Sequence, residues 1–132
     1  MSDTLYCTIV TPEKVALDAR ADFVAVPLYD GEIGIASGRA PLIGRLGFGE
    51  MRIKVADKVT RYYLDGGFVQ VADNIVSILT NRAVLASEVN AGTARQLLDE
   101  SMKLPITTVE LEEIRDRNVA QARAQLRIAE RI

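Results

Sequence analysis

The sequence predicts an α+β fold, a ten-stranded antiparallel β-sandwich flattened toward a barrel, followed by a two-helix antiparallel hairpin. Three observations predict it. Up to about residue 86 the chain reads as short β-prone runs separated by Gly, Asp or Asn, too closely spaced for intervening helices. After Ser87 good helix formers take over. Leu104-Pro105 then splits that helical part in two, because proline lacks the backbone donor and disfavours helix at the residue before it.

Taken in order, the expected strands are residues 5–10, 16–20, 23–28, 32–35, 42–46, 51–55, 59–64, 68–72, 75–79 and 83–86. The clearest is Glu50-Met51-Arg52-Ile53-Lys54-Val55, where apolar and charged residues alternate as a half-buried strand requires. Ala56-Asp57 and Asp73-Asn74 mark tight reversals between consecutive runs. Ten short strands joined this way close best as two packed sheets or a flattened barrel.

The first helix is expected over residues 89–103, with Leu97, Leu98 and Met102 as its apolar stripe. The second begins after Pro105. Thr107, followed by Glu110 three residues on, reads as a capping box, and Glu110, Glu112 and Glu113 complement the helix dipole. It runs to about Arg131, roughly 36 Å at ~1.5 Å per residue. Leu111, Ile114, Asn118 and Ala122 form one stripe, and alanines at 120, 122, 124 and 129 allow close approach to a neighbour. The expected units are residues 1–87 for the sandwich and 88–132 for the hairpin.

Composition narrows the function. The chain has 132 residues, 48% hydrophobic and 26% charged, enough for one well-cored domain with an appendage. With 16 basic and 18 acidic residues, net −2, it lacks the cationic excess that nucleic-acid binding uses. No apolar run approaches the roughly 20 residues of a bilayer span, and the first residues lack signal-peptide character, so a soluble, unexported protein without bilayer insertion is expected. Histidine is absent and Cys7 is the single cysteine, which removes the commonest general base, the commonest metal ligand and any disulfide framework. No cofactor or metal site is expected. A hydrolase would have to use carboxylates such as Asp30, Glu32 and Asp65, which sequence cannot pair. Walker-type phosphate loops are also missing.

One stretch is specific. Asp30-Gly31-Glu32-Ile33-Gly34-Ile35-Ala36-Ser37-Gly38-Arg39-Ala40-Pro41-Leu42-Ile43 resembles the signature of bacterial, F-type ATP synthase epsilon subunits, as does Gly66-Gly67-Phe68-Val69-Gln70-Val71. Val10-Thr11-Pro12-Glu13, Glu50-Met51-Arg52-Ile53 and Ile78-Leu79-Thr80 fall at the spacing of that family, so the resemblance spans residues 5–80. Within it Gly31, Gly34 and Gly38 are expected to take backbone angles closed to other residues, and Pro41 to stiffen the loop exit.

The resemblance implies a non-catalytic subunit of the central stalk, peripheral on the cytoplasmic face of the cell membrane. Its expected partners are the gamma subunit, the polar loops of the membrane ring of c subunits, and the catalytic alpha/beta head through the C-terminal helices. Glu32 and Arg39 match positions implicated in the ring contact. Arg39 stands where the family usually has histidine, so that contact would not titrate; a plain surface pair between Glu32 and Arg39 is the alternative. Gln70 replaces a common glutamate. Where some bacterial members carry Leu-Asp-x-x-Arg-Ala for a regulatory ATP, this chain has Val89-Asn90-Ala91-Gly92-Thr93-Ala94, and weak or absent ATP binding is expected.

Arg123, Arg127 and Arg131 recur every four residues on one helix face, near Arg115 and Arg117. They suit a helix C-terminus as solvated charges. The resemblance instead implies contact with an acidic loop of the head when the hairpin lifts, slowing ATP hydrolysis. The reading from a different class is a stand-alone ligand-binding β-domain with a helical lid, for which three Phe and four Tyr supply little pocket.

Overall fold

Alternating apolar positions become strands wherever one side of the run can face a common core. The computed structural model describes residues 4–130, and eight strands form among them. They are β1 (Leu5–Val10), β2 (Val15–Ala21), β3 (Phe23–Leu28), β4 (Gly31–Ala36), β5 (Leu42–Val55), β6 (Lys58–Ala72), β7 (Ile75–Leu79) and β8 (Ala83–Leu85). A short 3-10 turn, Ala86–Glu88, leads to the helices α1 (Ala91–Met102) and α2 (Val109–Glu130). The sandwich and the two helices are as the sequence predicts.

The strand count is corrected from ten to eight. The expected runs 42–46 and 51–55 are one strand, β5, and the runs 59–64 and 68–72 are one strand, β6. Their antiparallel ladder keeps a single register from Leu42↔Val71 to Val55↔Lys58. Gly47, Gly66 and Gly67, which read as breaks, lie where this ribbon bends from one layer into the other, a usual role for glycine inside a strand.

The hydrogen-bonded order is β2-β1-β7-β6-β5-β3-β4, with β8 also on β6, and the sheet does not close. The first layer holds β2, β1, β7 and the halves of β6 and β5 nearest residues 72 and 42. The second holds their other halves with β3, β4 and β8. One pairing departs from the all-antiparallel expectation: β1 and β7 run parallel, Tyr6↔Ile75 to Val10↔Leu79. The chain has crossed to the second layer and back between them, which frees the direction of the returning strand.

Leu5, Ile9, Val24, Ile35, Met51 and Ile78, among others, fill the space between the layers. Cys7 lies in the same core, fully buried, and burial pushes its thiol from 9.0 up to about 12. It should therefore resist alkylation by a thiol reagent at pH 8 in the native chain and react promptly in denaturant. Reaction at equal rates in both states would contradict the packed core.

The helix starts correct two details. Asn90 caps α1, its side chain accepting from the Thr93 N–H at 2.9 Å, so the helix begins at Ala91 instead of Val89. Thr108, not Thr107, caps α2, its hydroxyl accepting from the Leu111 N–H at 3.2 Å. Stripe positions shift too: Met102 and Ile114 are exposed, while Ala94 and Ser101 of α1 and Ala122, Ala124 and Ile128 of α2 are buried. The small residues carry the close approach, and the larger apolar ones remain at the hairpin tip.

Candidate functional site

The outer side of the first layer is apolar where an isolated sheet would be polar. Cross-strand register sets its residues in three rows: Arg45, Phe68, Leu79 and Val10; Ile43, Gln70, Ser77 and Thr8; then Ala72, Ile75 and Tyr6. Ile43 is 77% exposed, Phe68 56% and Leu79 53%, large apolar side chains gathered on one face with the uncharged Gln70, Ser77 and Thr8 among them. Charge is confined to its margins, with Arg45 on one side and Asp18 and Arg20 of β2 on the other. Arg45 stacks on the Tyr29 ring, 4.3 Å from its centroid, which fixes that margin. A groove of about 730 Å³, lined in part by Pro12, Phe68 and Leu79, runs along the top row.

Sequence reading missed this face. The signal was present in Leu42-Ile43, Phe68-Val69 and Ile78-Leu79, pairs in which an apolar residue stands on both sides of one strand.

One end of the open sheet is β2 and the other is β4. Glu32 lies near its start and Arg39 just beyond its end, on a loop tied down by the Gly38 N–H donating to Asn74 Oδ1 at 2.8 Å. Ala36 lies four positions beyond Glu32, about 13 Å along a strand. The structure therefore does not pair Glu32 with Arg39. Glu32 instead holds Arg52 at 2.7 Å, and that hydrogen bond raises the guanidinium above its ordinary pKa. Arg52 also reaches Glu50 at 3.4 Å, and Arg61 stands 3.6 Å from Glu50, giving a chain of alternating charges across three strands.

Among the signature glycines, Gly31 opens β4 and Gly38 takes a left-handed φ of +86°. Gly34 corrects the expectation of special backbone angles. It sits in ordinary strand, and its requirement is space, since a Cβ there would lie 2.6 Å from the Phe23 ring. Pro41 immediately precedes β5, while Gly66 and Gly67 take φ +74° and +109° at the bend of β6.

Along the second layer, α2 lies on Tyr63, Phe48, Ala86 and Val89 through Ala124 and Ile128. Tyr63 donates to Asp65 Oδ1 at 2.9 Å, and Gln121 of α2 donates to the same oxygen at 2.8 Å. Burial, then the charge of Asp65, pushes the Tyr63 phenol well above its ordinary pKa. Arg123 and Arg127 are exposed and line a surface cleft of about 880 Å³ with Arg45, Arg117 and Tyr29. Arg115 is turned aside to Asp116 at 3.1 Å, and Arg131 lies outside the described residues. No group of three or more His, Cys, Asp or Glu that could hold a metal occurs among the described residues.

A sheet bent at glycines around one core, with a helical hairpin laid on its outer side, defines the class: a β-sandwich domain with C-terminal helices. The family model for the ATP synthase delta/epsilon chain β-sandwich domain matches residues 4–86. The ATP synthase epsilon chain of Rhodopirellula baltica is 45% identical over 124 residues, 94% of this chain and 97% of that one. The epsilon chain of a Synechococcus is 35% identical over 122 residues, covering 92% and 89%. The chain belongs to the ATP synthase epsilon chain family. Among solved structures, a chain of the Euglena gracilis mitochondrial ATP synthase has the same fold, with TM-score 0.84 at 18% identity over 94% of this chain and 80% of that one. So does a chain of the Tetrahymena thermophila mitochondrial ATP synthase central stalk and c-ring, with TM-score 0.76 at 17% identity over 95% and 96%.

Proposed function

We propose that this chain is the non-catalytic epsilon subunit of a rotary ATP synthase, seated in the central stalk by docking the outer side of its first layer on the gamma subunit. The observation that carries this reading is the three-row face with its exposed Ile43, Phe68, Leu79, Ile75 and Tyr6, whose charge stands only at the margins, as an interface core with a polar rim requires. The likeness to a chain of a central stalk and c-ring assembly supports the same placement.

The β4 edge then meets the polar loops of the membrane ring of c subunits, with Glu32 and Arg39 at its two ends. Held by Arg52, Glu32 offers a positioned carboxylate; Arg39 offers a permanent cation on a loop whose backbone is anchored. Torque passes between ring and gamma through a sandwich whose two layers share one packed core. Among the described residues no helix is long and apolar enough to cross a membrane. In this reading the subunit sits peripherally on the cytoplasmic face.

In the hairpin, residues 88–132, lies the regulatory part. Docked, it presents Arg123 and Arg127 at the surface cleft; lifted, it carries them toward acidic segments of the alpha/beta head and slows ATP hydrolysis. Removing residues 88–132 and assaying the reconstituted complex tests this. Hydrolysis is expected to rise while coupled synthesis persists, and unchanged hydrolysis would refute the inhibitory role. The ligand-binding alternative gains no observation, because apolar side chains fill the sandwich interior and the clefts among the described residues lie at its surface.

A further inference from the structure

Side chains of α2 and β6 meet as two rungs of a polar ladder. On the strand, Tyr63 and Asp65 are two residues apart and share one side, about 7 Å from each other. On the helix, Gln121 and Gln125 are four apart and share one side, about 6 Å from each other. The spacings match, so the two rungs face each other: Gln121 donates to Asp65 Oδ1 at 2.8 Å, and Gln125 stands beside Tyr63. Tyr63 closes the ladder by donating to that same Asp65 oxygen at 2.9 Å.

Asp65 is held firmly for this task. Its backbone N–H donates to Thr80 Oγ1 at 3.2 Å and to the Arg82 carbonyl at 3.1 Å, at the point where β6 bends between layers. Its carboxylate accepts two donors at one oxygen, and hydrogen bonds to an ionised acceptor are roughly twice as strong as neutral ones. The apolar hold beside it is slight. Of the three α2 residues that are buried, two are alanines, Ala122 and Ala124, and only Ile128 brings a large side chain.

We infer that Asp65 and Gln121, backed by Tyr63 and Gln125, form the latch that sets the balance between the docked and the lifted hairpin. The latch rests on the regulatory reading of the hairpin given above. Its logic is asymmetric. Lifting α2 hydrates the Asp65 carboxylate and the freed glutamines, so the latch costs little to leave open once parted. Docking restores both rungs at once because the strand already holds Asp65 in place. Changing either member therefore shifts the balance without touching the core between the layers, which Leu5, Val24 and Ile78 fill from other strands.

The test uses the full chain with Ala124→Cys, a buried position in the α2 contact, and follows alkylation of the introduced thiol under native conditions by peptide mass. Its rate reads opening of the hairpin, while Cys7, buried in the sandwich core, reads global unfolding in the same tube. Gln121→Ala is expected to speed labelling of the introduced thiol roughly tenfold, the loss of one charge-assisted bond, and Asp65→Ala at least as much, because it also takes the acceptor from the Tyr63 hydroxyl. Together they should do little more than Asp65→Ala alone, since that change already removes the bond from Gln121. Asp65→Asn, which keeps an oxygen acceptor, should retain most of the protection. Cys7 labelling should not change in Gln121→Ala, whose side chain lies outside the core. Unchanged labelling of the introduced thiol in Gln121→Ala, or a double variant that multiplies the two single effects, would overturn the latch. Faster labelling in Gln121→Ala, with ATP hydrolysis by the reconstituted complex unaltered, would uphold the latch and refute the inhibitory role of the hairpin.

Discussion

Gly67→Ala should abolish folding of the sandwich at room temperature or leave it with only a small residue of stability. Gly67 takes φ +109°, which L side chains rarely adopt, at the bend of β6. A Cβ added there would fall on the carbonyl oxygen of Leu79, and the Leu79 carbonyl carbon and Thr80 Cα would each lie 2.9 Å away. All of these are backbone atoms at the end of β7 and just beyond it, so no side-chain rotation relieves the overlap. Left-handed strain costs about 1–2 kcal/mol. The forced separation of β6 from β7 adds overpacking of about 1–3 kcal/mol. A total of roughly 2–5 kcal/mol is a large part of the stability of a domain at the low end of the typical 5–15 kcal/mol. Gly66→Ala is the control. Its φ is +74°, but the nearest atom to a new Cβ is a carbon of the Phe48 ring at 3.4 Å, so about 1–2 kcal/mol is expected. Urea unfolding followed by circular dichroism gives the order directly. Equal midpoints for the two variants would contradict the close approach of β6 and β7.

Phe68→Asp combined with Leu79→Asp should weaken binding to the gamma subunit by roughly a hundredfold or more while leaving the fold intact. These two side chains stand opposite each other in the top row and are more than half exposed, so the isolated chain loses little by their change. Once covered by a partner they would each place a carboxylate in a desolvated contact, a heavy penalty without a matching cation. Arg20→Glu at the margin should alter binding only slightly and mainly through its salt dependence. Calorimetric titration against purified gamma subunit, with thermal unfolding of each variant alongside, separates lost binding from lost fold. A double variant that binds like the unaltered chain would remove this face from the interface.

Much of the fold was legible because a half-buried strand writes its periodicity locally. Glu50 to Val55 alternates, and it is a strand end to end. What misled was glycine. Gly47 and Gly66 carry the same local signal whether the chain reverses or merely bends, and only the partner strand decides which; here a continuous β5–β6 ladder made them bends. The helix caps moved by one or two residues because Thr107 and Thr108 offer the same hydroxyl, and the side chain that reaches the third N–H is settled by packing.

The site was legible unevenly. Residues of the family signature could be named, but their relative placement could not: Glu32 turned to Arg52, twenty residues away, and not to Arg39, seven away. The apolar face was visible in principle as strands with apolar residues on both sides. Gln121 and Asp65, 56 residues apart on a helix and a strand, left no trace in any local pattern. Their meeting depends on the docking angle of α2, which the buried alanines set.

Docking of the first layer's outer face on gamma is tested most directly by affinity co-purification of the tagged full chain from its own cells at moderate salt, with mass spectrometry of what remains bound. The expected result is recovery of the synthase alpha, beta and gamma subunits with the unaltered chain and their loss with Phe68→Asp/Leu79→Asp. Retention of those subunits by both chains, or recovery of neither gamma nor the head with the unaltered one, would contradict it.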